Sequence, residues 1–78
     1  MNAYKYHETI KEIIKNDTII RVIKLDNVYS ALIIKNDKIH TETQRVNTRL
    51  FKNDLKAIKA TVGFAQNTLE THIKLGML

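Results

Sequence analysis

The stretch TIIRVIKLDNVYSALIIKNDKIHTETQRV, Thr18 to Val46, sets two Asn/Asp dipeptides between apolar, β-branched runs. TIIRVIKL (18–25) is β-branched and apolar, and it runs into the dipeptide Asp26-Asn27. VYSALIIK (28–35) follows, then Asn36-Asp37, then KIHTETQRV (38–46). Asn and Asp tolerate the positive φ that two-residue hairpin loops require, so the pattern predicts a three-stranded antiparallel meander. Two-residue turns fix the register. They place Leu25 opposite Val28, Ile23 opposite Ser30, Arg21 opposite Leu32 and Ile19 opposite Ile34. Across the second turn, Ile34 should meet Ile39, Leu32 meet Thr41 and Ser30 meet Thr43. The face carrying Ile19, Ile23, Leu25, Val28, Leu32, Ile34 and Ile39 is the expected core. The opposite face carries Ile20, Val22, Tyr29, Ala31 and Ile33, too many apolar residues for solvent. A further helix or a second protomer must cover it, and a second protomer is the expectation.

The flanks read as helices. Before the meander, Ala3, Tyr6, Ile10, Ile13 and Ile14 recur at the spacing of one helical face, which predicts a helix over 2–15 with Asn2 as cap and KND (15–17) as stop. After it, Phe51, Leu55, Ile58, Val62, Ala65, Leu69 and Ile73 follow at steps of three or four behind Thr48, a plausible cap. One helix from Arg49 to Leu75 would be about 40 Å long, more than the diameter expected of so small a domain. Gly63 is the natural break and Gly76 the natural stop. The expected architecture is a single α+β domain over 1–78: an N-terminal helix, a three-stranded antiparallel meander and two C-terminal helices, in the order α-β-β-β-α-α.

Composition narrows the chemistry. There is no cysteine, so neither a disulfide nor a thiolate metal site can staple the fold. The opening MNAYKYHETIKEI lacks the apolar run of a signal peptide, and nowhere do eighteen apolar residues run together. A cytoplasmic chain without membrane attachment is the expectation. His7, His40 and His72 fall on separate elements without ligand spacing, Ser30 lies inside a strand, and the two glycines form no phosphate-cradling loop. These features predict no enzyme, no metal and no cofactor. The formal charge is +5 and it is uneven: residues 1–17 net zero, whereas residues 48–78 hold five basic against two acidic groups. A basic C-terminal segment suits an anionic partner such as nucleic acid.

Residues 55–76, LKAIKATVGFAQNTLETHIKLG, supply a helix, a turn glycine, an apolar residue just after it and a second helix. The segment resembles helix-turn-helix DNA-binding regulators, particularly the quorum-sensing type, in which Thr68, Leu69, Thr71, His72 and Ile73 match the recognition-helix pattern. The resemblance implies binding to double-stranded DNA, with Gln66, Asn67, Glu70, Thr71 and Lys74 facing the major groove. Gln66, Asn67 and Thr71 would read bases, while Arg49, Lys52, Lys56, Lys59 and Lys74 would dock on phosphates. The chain departs from that family at Lys59, four residues before the turn glycine, where a small residue stands at the helix crossing.

Two other resemblances are partial. Residues 41–75 are similar to ribbon-helix-helix repressors in element order, although the strand lacks the alternating apolar residues of such a ribbon. The first five elements resemble double-stranded RNA-binding domains in topology alone, since TRLFK (48–52) does not reproduce their basic helix start. The expected function is a small homodimeric DNA-binding transcriptional regulator. The alternative is a protein-binding adaptor or inhibitor, of the kind phages and plasmids encode, acting through the sheet face of Ile20, Val22, Tyr29, Ala31 and Ile33.

Overall fold

A computed structural model describes residues 7–78. Its order is β-β-β-β-β-α: strands β1 (Glu8–Lys15), β2 (Thr18–Leu25), β3 (Val28–Lys35), β4 (Lys38–Glu42) and β5 (Val46–Asn47), then helix α1 (Asp54–Lys74). The four longer strands form an antiparallel meander in sequential order, and β5 pairs with β3 beyond the end of β4. The expected α-β-β-β-α-α order is therefore corrected at both ends.

The first correction concerns the segment read as a helix over 2–15. Its residues 2–6, with Ala3, Tyr6 and the cap Asn2, lie outside the described residues, and Glu8–Lys15 is β1. The apparent helical spacing comes from a bulge. Thr9 pairs with Ile23 and Lys11 with Val22, so Ile10 is an extra residue in the ladder. An inserted residue breaks the two-residue period of a strand. Ile10 and Ile13, three apart, therefore pack on the same core, as they would on a helix. The supposed helix stop Asn16-Asp17 is a hairpin turn, with Asn16 at φ 58°.

The second correction concerns the C-terminal pair. Residues 54–74 form one unbroken helix, with Gly63 in its interior. Thr48 starts a one-turn 3-10 segment instead of the α-helix, and the α1 cap is Asn53, whose side chain accepts from the Lys56 N–H. At the other end Gly76 adopts φ 73°. The Met77 N–H donates to the His72 carbonyl and the Gly76 N–H to the Ile73 carbonyl, the paired bonds of a Schellman stop. A helix of this length spans about 31 Å. It fits because the domain is a slab, not a sphere: its extents are 35 × 27 × 17 Å, and α1 lies along the sheet as the second layer.

The β2–β3 register is the one the two-residue turn dictates, from Leu25↔Val28 to Ile19↔Ile34. Between β3 and β4 the expectation holds at Ile34↔Ile39 and then slips, because Ile33 pairs with Thr41 and Leu32 with Glu42. His40 is the extra residue. A one-residue slip reverses the faces. Thr43 consequently bonds to Ala31 through both its N–H and its hydroxyl, and Ser30 donates to Glu42 at 2.7 Å.

The core is also on the other side from the one expected. Ile20, Val22, Tyr29, Ala31 and Ile33, with Val46, pack under Ala57, Ala65 and Leu69 of α1. The face read as the core keeps Ile23, Leu32 and Ile34 as a smaller cluster, while Leu25 and Ile39 are exposed. Small residues on α1 decide this. Ala57, Thr61 and Ala65 recur every four residues and let the helix backbone sit close to the strands, each with no exposed surface. Thr61 can occupy the centre of that interface because its hydroxyl donates to the Ala57 carbonyl one turn back. Leu55 and Ile73, expected inside, lie at the flank of the helix and are exposed.

Candidate nucleic-acid interface

The basic residues assigned to phosphate docking divide into a cluster and an outlier. Arg49 is the middle residue of the 3-10 turn and Lys52 lies in the connection to α1, immediately before the Asn53 cap. Lys56 and Lys59 follow in the first two turns. At 100° per residue they point away from the face that carries Ala57, Thr61 and Ala65. All four side chains are exposed, and among the described residues none is engaged in an ion pair. Lys74 lies on the same outer line but about 27 Å from Lys56 along the axis.

Asp54, the acidic residue of the first turn of α1, is paired with Lys24, whose Nζ lies 3.5 Å from Asp54 Oδ2. The Asp54 carboxylate, and secondarily Tyr29, hold the Lys24 ammonium above its ordinary pKa. The Lys24 charge also lies 5.4 Å from the Tyr29 ring centroid. With Asp54 engaged by Lys24, Arg49, Lys52, Lys56 and Lys59 have no ion-pair partner among the described residues.

The residues assigned to base readout are all exposed but do not converge. Asn67 lies near the outer line with Lys59, Glu70 and Lys74, and Thr71 falls towards one flank. Gln66 turns to the other flank, where it lines a cleft against β1 with Ile13, Lys15, Ile20, Leu69 and Glu70. Gly63, the supposed turn, lies inside a continuous helix, so no two helices cross. The conflict raised by Lys59 at a crossing therefore disappears, and its side chain stands in solvent.

The sheet face proposed for a dimer or partner is not a surface. Ile20, Val22, Tyr29, Ala31 and Ile33 are each at most 2% exposed beneath α1 of the same chain. The cover is intramolecular, and the reason for expecting a second copy there is removed. Sequence reasoning put Ile19, Ile34 and Ile39 on the other face but missed Ile14 beside them. Ile14 pairs with Ile19, Ile19 with Ile34, and Ile34 with Ile39, making one row of isoleucines across four strands. The row could not be seen while residues 2–15 were taken as a helix. Its outer members remain exposed, Ile14 at 71% and Ile39 at 47%.

Among the described residues no group of three or more metal-binding side chains comes together, and no helix is long and apolar enough to cross a membrane. No protein-family model, curated protein or solved structure matches the chain.

Proposed function

We propose that the chain is a cytoplasmic DNA-binding module that docks on duplex DNA through the exposed side of α1 and the turn before it, and regulates by occupying its site. The observation that carries this reading is the set of Arg49, Lys52, Lys56 and Lys59 at one end of a helix, all exposed and, among the described residues, without an ion pair. Phosphate neutralisation supplies most non-specific affinity for DNA, and it needs basic side chains that are not already ion-paired. Farther along the helix, Asn67, Thr71 and Lys74 are the groups available to a groove, while Gln66 serves only if the duplex also covers the flank facing β1. This mode uses one helix backed by a sheet, not a helix-turn-helix.

Fluorescence anisotropy with random-sequence duplex, titrated at low and moderate salt, tests it. Four phosphate contacts give a slope of about −3.6 in log affinity against log salt. Lys59→Ala reduces that slope by about one. Absence of binding at low salt by the folded chain would exclude the reading.

The isoleucine row favours a second reading, a protein-binding adaptor acting through the sheet face away from α1. The two readings separate by mutation. Ile39→Lys leaves the DNA titration unchanged and removes the apolar row, whereas Lys59→Ala does the reverse.

A further inference from the structure

We propose that His40 and His72 form a two-imidazole binding site for a divalent transition-metal ion. The two residues are 32 apart in sequence and come from different layers. His40 Nε2 and His72 Nδ1 lie 2.9 Å apart, and the rings meet edge to face with centroids 5.1 Å apart. Local structure puts both there. His40 is the extra residue of the β4 bulge, where the register passes from Ile34↔Ile39 to Ile33↔Thr41. Bulges redirect a side chain that regular pairing would aim elsewhere. His72 lies in the last turn of α1, on the helix face that Ala57, Thr61, Ala65 and Leu69 direct to the sheet.

The spacing suits coordination by both nitrogens. Two donors separated in this way subtend about 90° at an ion lying about 2.0–2.1 Å from each. That is the cis angle of tetragonal Cu(II) or Ni(II), while a tetrahedral ion such as Zn(II) requires the rings to part by about 0.4 Å. In the ion-free chain one ring donates its N–H to the other. When the ion binds to the neutral pair, that shared proton moves to the far nitrogen of its own ring, so that His40 carries its proton on Nδ1 and His72 on Nε2. Both rings are half-buried, so water can complete the coordination shell. The site also faces the C-terminal end of α1, where the helix carbonyls favour positive charge. Bound metal would tie the edge strand β4 to the last turn of the helix.

The test is calorimetric titration of the chain at pH 7.5 with the chlorides of Cu(II), Ni(II) and Zn(II), and of Mg(II) as a hard-ion control. One-to-one binding is expected, strongest for Cu(II), with none for Mg(II). His40→Gln and His72→Gln keep hydrogen-bonding capacity but remove an imidazole. Each should weaken binding by more than the roughly tenfold that loss of an outer-shell partner costs, while His7→Gln should leave it unchanged. Zinc-induced shifts of the His40 and His72 ring resonances in the unsubstituted chain provide a readout that needs no variant to fold. Binding retained by both glutamine variants, or no uptake of any of the three transition ions at millimolar concentration, overturns the site.

Discussion

Replacing Gly63 by alanine should stabilise this protein. Gly63 stands in the interior of α1, half-buried, eleven residues from Lys74 at one end and nine from Asp54 at the other. An added Cβ meets no atom within 4 Å, so the substitution carries no steric penalty, and the open space also means it gains little packing. What remains is backbone entropy and helix propensity, worth about 0.5–1 kcal/mol in favour of alanine. For a domain of this size that raises Tm by about 2–8 °C. Urea unfolding followed by helical circular dichroism should show a higher midpoint with an unchanged slope. Gly76→Ala is the internal contrast. At φ 73° its side chain enters left-handed space, and stability should fall by about 1–2 kcal/mol. Loss of stability in Gly63→Ala would refute the reasoning, since it would mean that Gly63 serves a turn or a close helix crossing after all.

Ile33→Ala should destabilise by about 2–5 kcal/mol, with a Tm that does not vary with protein concentration, because α1 and not a second copy covers that face. A concentration-dependent Tm would place a partner there. Asn53→Ala should cost about 1 kcal/mol through loss of the cap on the Lys56 N–H. A helix beginning at Thr48 would instead gain from alanine at an interior position, so the sign of the change, read by urea midpoint, locates the helix start.

How much of the fold was legible depended on whether the deciding signal was local. The β2–β3 hairpin could be derived residue by residue, since its two-residue turn sets the pairing and no bulge interrupts the ladder, as one does between β3 and β4. A basic excess in the C-terminal segment was legible; the structure puts Arg49, Lys52, Lys56 and Lys59 just before and at the start of α1 and Lys74 at its far end. The freedom of the first four from ion pairs was not legible, because it depends on Lys24 of the sheet reaching Asp54. The His40–His72 contact was hidden for a similar reason: a bulge in β4 and the length of α1 together bring the rings into contact.

The tripeptide Lys-Asn-Asp shows where sequence stops and tertiary structure begins, for it occurs three times, at 15–17, 35–37 and 52–54. By itself it establishes that regular structure is interrupted, because asparagine supplies either left-handed backbone or a capping oxygen. Asn16 and Asn36 take the first course, at φ 58° and 54°, and turn hairpins. Asn53 takes the second, at φ −154°, and starts α1. The local residues are the same; what differs is the surface waiting for the chain that follows. After Asp17 and Asp37 come strands that complete a sheet. After Asp54 comes a segment whose Ala57, Thr61 and Ala65 fit close against the finished sheet only as one uninterrupted helix. Sequence alone determined the β2–β3 register, the excess of basic charge and the Lys-Asn-Asp positions where regular structure is interrupted. Tertiary packing decided what each bend became and which sheet face was the core, because burial is shared between segments distant in sequence and none of them carries the decision alone.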